Sequence, residues 1–145
     1  MPRMLLSESA PELHQGFLRI DAEIRRGPLD ATVRELVKLR ASQLNGCVFC
    51  VDLHSREALK EGEHPDRLHQ LPVWEESERF EERERAALAY TDAVTGRRPV
   101  DDALWQRVCE HFPDEAERAH LIAQVSLINA LNLYSVPLRM RPRPA

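Results

Sequence analysis

Cys47 and Cys50 stand three residues apart, and His54 follows four residues later. On a helix, positions i, i+3 and i+7 share one face, so two thiols and an imidazole converge on one small volume. Thiolate, not thiol, is the nucleophile, and a free cysteine with a pKa of ~8.5 is mostly protonated at neutral pH. The positive end of a helix dipole stabilises a thiolate in the first turn. His54, one turn beyond Cys50, can take or return its proton. A thiolate that attacks a peroxide oxygen becomes a sulfenic acid, and a second thiol condenses that to a disulfide. An outside dithiol then restores the pair by exchange. Within the pair, Cys50 is expected to attack, because it is the nearer to His54. Cys47, closer to the helix entrance and to solvent, is expected to resolve the sulfenic acid and meet the reductant.

Glu35 is the fourth member of this constellation. It lies three turns before Asn45-Gly46, a pair that tolerates the left-handed backbone of a helix exit. If that turn folds the preceding helix back, Glu35 approaches the face carrying His54. A carboxylate there orients the imidazole or relays its proton.

Each residue has a plainer reading. Cys-x-x-Cys also fits inert buried cysteines or half of a zinc site, although a zinc site needs four ligands and only His54 is near. A non-catalytic dithiol protein, either a zinc-bound structural module or a redox-sensing partner of another protein, is therefore the alternative to an enzyme. Cys109 reads as a small core residue. His14, His64, His69, His111 and His120 lack a second supporting feature, and Trp74 and Trp105 read as core or interface aromatics. The charged run from Glu78 to Arg85 reads as a solvated helix face.

The elements that must position these residues follow from the apolar period. Leu13, Phe17, Ile20 and Ile24 form one helical stripe, ended by Gly27-Pro28. Asp30 caps a second helix bearing Val33, Leu36, Val37 and Leu44. A third starts around Cys47, carries Val51, Ala58 and Leu59, and stops at Gly62. From His64 to Trp74, Pro65 and Pro72 predict a short helix and then a loop. A fourth helix runs from about Glu81 to Thr95. Asp101 caps a fifth with Leu104, Trp105 and Val108, and Asp114 a sixth with Leu121, Ile122, Val125, Ile128 and Leu131, until Pro137. The tail from Arg139 to Ala145 is expected to be frayed. No stretch alternates with the two-residue period of a strand. The expected fold is a single all-α domain over residues 1–145, a bundle of about six helices with its core roughly at 11–136.

The chain has 145 residues, 43% of them hydrophobic, enough for one core. No run approaches the ~18 apolar residues of a membrane span, and Met4-Leu5-Leu6 is too short for a signal-peptide core, so a cytoplasmic location is expected. A net charge of −4 argues against a nucleic-acid role.

Glu35, Cys47, Cys50 and His54 form Glu-x11-Cys-x2-Cys-x3-His. That pattern resembles the signature of the AhpD-like alkylhydroperoxidases, within the carboxymuconolactone decarboxylase superfamily. Leu39 to Cys47, Glu82 to Tyr90 and Ile128-Asn-Ala-Leu-Asn132 are similar to the family as well. The resemblance spans most of the chain, roughly from residue 15 to 135. It implies an all-helical antioxidant peroxidase without a cofactor, in which Glu35 and His54 relay a proton to the cysteine pair. It also implies a trimer or hexamer, reduced by an external dithiol such as a lipoyl-bearing or thioredoxin-like protein. Some members carry a further histidine between the cysteines, where this chain has Val48-Phe49. Other branches of the superfamily are decarboxylases that lack the cysteine pair.

Overall fold

Asp30 starts the helix around which the others are arranged. Its carboxylate accepts a hydrogen bond from the Val33 amide at 2.9 Å, the usual satisfaction of an unpaired first-turn donor. In the computed structural model, which describes residues 1–144, the elements in chain order are α1 (Leu6–Ser9), α2 (Pro11–Arg26), α3 (Ala31–Leu44) and α4 (Val48–Lys60). They continue with α5 (Pro65–Gln70), a 3-10 turn (Leu71–Glu76), α6 (Glu82–Thr95), α7 (Asp102–His111) and α8 (Glu115–Ser135). There is no strand among the described residues.

Nine of the fourteen residues of α3 are buried, charged ones among them. A helix covered on all sides must sit centrally, and α3 packs against α4, α6 and α8. On one side, Val33 and Val37 meet Ala87, Tyr90, Phe112, Leu121 and Val125. On the other, Leu36 and Leu39 meet Leu71, Trp74, Phe80 and Leu88. Each large apolar side chain fully buried in this way contributes roughly 1.5–3 kcal/mol.

Turn chemistry at the predicted places ends and starts the elements. Gly46 (φ 67°) and Gly62 (φ 93°) both adopt the left-handed backbone that terminates α3 and α4. Asp101 and Asp114 accept from the Leu104 and Glu117 amides at 2.8 and 3.1 Å. Pro11 and Pro65 occupy first-turn positions, where no amide proton is needed.

The structure departs from the sequence expectations in four respects. Among the described residues there are eight α-helices and a 3-10 turn rather than about six helices. The extra elements, α1 and the 3-10 turn, are four and six residues long, too short to show a period. The stretch after α5 is that 3-10 turn and not a loop, and it buries Leu71 and Trp74. The α2 stripe faces inward only in part: Ile24 is buried, whereas Leu13 and Ile20 are exposed. The run from Glu78 to Arg85 is not wholly solvated. Glu84 is buried and paired with Arg67, while Arg83 pairs with Asp30 and Glu117. Residues 140–144 carry no helix, and Ala145 lies outside the described residues.

Candidate functional site

The turn between α3 and α4 is tied down before the first cysteine. Asn45 Nδ2 donates to Asn129 and Asn132 of α8, both at 2.9 Å. Asn132 in turn donates to Ser42 on α3 at 3.2 Å. These amides fix where α4 begins, and so where its inner face points. Three residues of α4 are buried: Cys50, His54 and Ala58, at steps of four.

Cys47 is the N-cap residue of α4, and its sulfur accepts from the Cys50 amide at 3.2 Å. It is joined to Cys50 in a disulfide, with the Cα atoms 5.3 Å apart. Cys109 is free and half-buried on α7. The cysteines are equally sequestered, Cys47 at 2% and Cys50 at 3% exposure. The expectation that Cys47 lies nearer solvent therefore fails, because α8 and the asparagine-pinned turn cover the start of α4. It is Cys50, not Cys47, that lines a cavity of about 240 Å³ together with His54.

That cavity has two characters. Phe17, Leu18, Phe49, Leu53 and Leu131 make apolar walls, and Phe17 packs against Tyr134 with ring centroids 5.8 Å apart. Burial pushes the Tyr134 hydroxyl above its ordinary pKa. Asp21, Arg25, Lys38, His54 and Glu57 supply the polar remainder.

His54 Nδ1 lies 3.1 Å from Glu57 Oε2 and 3.9 Å from Glu35 Oε2. The structure therefore brings Glu35 to the imidazole as expected, but at a distance beyond a hydrogen bond. The direct partner is Glu57, a residue one turn along α4 that the sequence reading did not single out. The hydrogen bond from His54, reinforced by Lys38 and Arg25, outweighs burial and holds Glu57 down to about 2 from an ordinary 4.5.

Glu35 is buried with cations around it. Arg34 Nε lies 3.3 Å from Oε1, Lys38 Nζ 3.6 Å and an Arg25 amine 3.9 Å, while Oε2 accepts no hydrogen bond. Lys38, only 2% exposed, also lies 3.1 Å from Asp21 Oδ1. Burial would raise the Asp21 carboxyl, but the charge of Lys38 and the hydrogen bond from Arg25 prevail and lower it. Arg25 also bonds Asp21 at 2.8 Å and Glu57 at 3.1 Å. Burial would lower Arg25; its bond to Asp21 and the nearby acids raise it instead.

Asp21, Arg25, Lys38 and Glu57 are thus site residues that the motif alone does not reveal. Lys38 had a sequence signal of position only: it stands three residues after Glu35, on the same face of α3.

Glu35, His54 and Glu57 place ligand atoms within 4.8 Å of one another, close enough for a metal ion, and neither cysteine belongs to that group. Arg25, Arg34 and Lys38 already sit against these carboxylates. The donor set is that of an ion-pair network, compensated by side-chain cations where a metal would have to bind.

Residues 11–93 match the model of the carboxymuconolactone decarboxylase family. Over 141 residues the chain is 34% identical to the uncharacterized protein YdfG of Bacillus subtilis strain 168, covering 96% of this chain and 95% of that one. It is 39% identical over 108 residues to the uncharacterized protein YnjA of Escherichia coli K12, covering 74% of this chain and 59% of YnjA. Its fold matches a crystal structure from Agrobacterium tumefaciens, that of a protein of unknown function presented as an AhpD candidate for antioxidant defence. The TM-score is 0.94 at 28% identity, and both chains are covered in full. The chain belongs to the carboxymuconolactone decarboxylase family and has the AhpD-like fold. No helix of the described residues is long and apolar enough to cross a membrane.

Proposed function

We propose that the chain is a thiol-dependent peroxidase in which Cys50 attacks and Cys47 resolves. The observation that carries this reading is the shared cavity of Cys50 and His54, with Cys47 bonded to Cys50 behind it. The antioxidant-defence reading of the Agrobacterium protein supports it.

In the reduced protein, His54 takes the proton of the Cys50 thiol, and Glu35 and Glu57 stabilise the imidazolium. The thiolate attacks the terminal oxygen of a hydroperoxide. An S–O bond forms and the O–O bond breaks, so sulfur is oxidised by two electrons as the peroxide is reduced. The departing alkoxide or hydroxide takes the proton from His54. Cys47 then attacks the sulfenic sulfur, expelling water and closing the disulfide.

An external dithiol completes the cycle. It enters through the cavity and attacks Cys50, the sulfur that faces it, releasing Cys47 as thiolate. The Cys50 amide and the start of α4 stabilise that leaving group. The second external thiol then attacks the mixed disulfide at its own sulfur, returning both cysteines to the reduced state. The assignment of Cys47 as the sulfur that meets the reductant is thereby replaced.

Self-association belongs to this reading. Exposed Leu13, Leu18 and Ile20 on α2 are the apolar surface that supports it.

The test is turnover with hydrogen peroxide and several organic hydroperoxides, each with several dithiol reductants. Catalytic consumption lost in Cys50→Ser supports the reading. Reduced protein that consumes no peroxide overturns it.

A further inference from the structure

Five charged side chains close into a ring with His54. Asp21 meets Arg25 at 2.8 Å, Arg25 meets Glu57 at 3.1 Å, and Glu57 meets His54 at 3.1 Å. His54 faces Glu35 at 3.9 Å, Glu35 faces Lys38 at 3.6 Å, and Lys38 returns to Asp21 at 3.1 Å. Acid and base alternate at every step. Three acids stand against two fixed cations, so the ring balances when His54 carries a proton. Arg34 and Glu61, which touch each other at 3.5 Å, add one charge of each sign and leave that balance unchanged. His14 on α2, Tyr134 on α8 and, in the reduced protein, the Cys50 thiol are the other titratable groups lining the cavity.

We propose that Glu57 is the positioning residue that sets the tautomer of His54, held there by Arg25, Asp21 and Lys38 through this ring. An ionised carboxylate only accepts hydrogen bonds. With Glu57 opposite Nδ1, that nitrogen must carry the proton, and Nε2 is left as the base. Which nitrogen of a histidine acts is decided by the bond the other one makes. Glu35 is too far to make that bond. It supplies charge beside the same nitrogen, and its unbonded Oε2 is the atom that faces the imidazole. The family signature names Glu35 for this duty; the geometry gives it to a residue outside the signature.

This inference rests on the reading of Cys50 and His54 as the reacting pair, but its test uses no peroxide. Nitrogen-15 NMR of the reduced full-length protein reports the tautomer of His54, assigned by the signal lost in His54→Ala. At pH 8 the neutral ring is expected as Nδ1–H, by roughly tenfold or more, the ratio a hydrogen bond to a charged group supports. Glu57→Ala is expected to erase that preference. Glu57→Gln, whose carbonyl still accepts, retains it, and so does Glu35→Gln.

At pH 7 the doubly protonated fraction of His54 is expected to fall in Glu57→Ala and to rise in Lys38→Met. Arg25→Met replaces the latter if Lys38→Met does not fold. Opposite responses follow from a charge ring and not from a loosened structure. An Nε2–H ring in the wild type, an unchanged tautomer in Glu57→Ala, or responses of the same sign would each overturn the inference. A protein with the expected tautomer but no peroxidase activity would instead refute the proposed reaction and leave the ring standing.

Discussion

His54 Nδ1 is 3.1 Å from a Glu57 oxygen and 3.9 Å from a Glu35 oxygen, so two carboxylates from different helices face one imidazole nitrogen. Only the nearer one is at hydrogen-bond distance. The farther one is the more deeply buried and is surrounded by Arg25, Arg34 and Lys38. The two therefore differ in what their removal should do.

Loss of His54 removes the base. His54→Ala is expected to slow peroxide reduction at pH 7 by roughly 10²–10⁴-fold, the usual worth of a general base. The loss should shrink toward pH 9, where the Cys50 thiol ionises unaided. Glu35→Gln should slow the step less, with partial recovery at high pH. Stopped-flow rates across pH 5–9 decide this; rates unaffected by either change would remove both residues from the mechanism.

The roles of the two sulfurs separate in single variants. With peroxide and a sulfenic-acid trap, Cys47→Ser should be labelled at Cys50, because that sulfur lines the cavity with His54. Cys50→Ser should leave Cys47 largely unlabelled. The opposing argument is the helix-start field and the Cys50 amide, which favour a thiolate at Cys47. That field is worth typically ~0.3–1 kcal/mol, less than a dedicated base supplies. Labelling of Cys47 alone would reverse the assignment while keeping the dithiol chemistry.

Acid should weaken the fold through the same ion pairs. The folded Glu57 carboxyl, at about 2, lies below its ordinary 4.5, so its stabilisation is complete above pH 4.5 and is lost as pH falls toward 2. By linkage this amounts to at most about 3 kcal/mol, and to less at a quarter-exposed group screened by solvent. Asp21, also lowered, acts in the same direction. Chemical denaturation from pH 6 to pH 2 should show a smaller loss in Glu57→Gln than in the wild type. Parallel curves for the two proteins would show that the His54–Glu57 bond carries no such weight.

Much of this architecture is written locally. Asp30, Gly46, Gly62, Asp101 and Asp114 each mark an end by their own chemistry, and all five act at the places their types predict. Cys47, Cys50 and His54 converge because their spacing matches one helix face. Glu35 reaches His54 because the turn that follows it is itself legible. The ring around His54 is not legible in this way. Asp21 and Arg25 come from α2, fourteen and ten residues before Glu35 in sequence and separated from it by a turn. Nothing local says that α2 lays its polar side across α3. Lys38 could have been read as solvated, and only the burial of most of α3 makes its pairing obligatory. The face of α2 was misjudged for a related reason: amphipathic period shows that a stripe exists, not which neighbour covers it.

The most direct test of the central claim follows the cysteine peptide itself. One equivalent of a hydroperoxide is added to the fully reduced protein, and the residual peroxide and the mass of the peptide spanning Cys47 and Cys50 are measured together. The account predicts one peroxide consumed for each two-hydrogen loss on that peptide, reversed by a dithiol and absent in Cys50→Ser. Peroxide left unconsumed while both thiols stay reduced would contradict it.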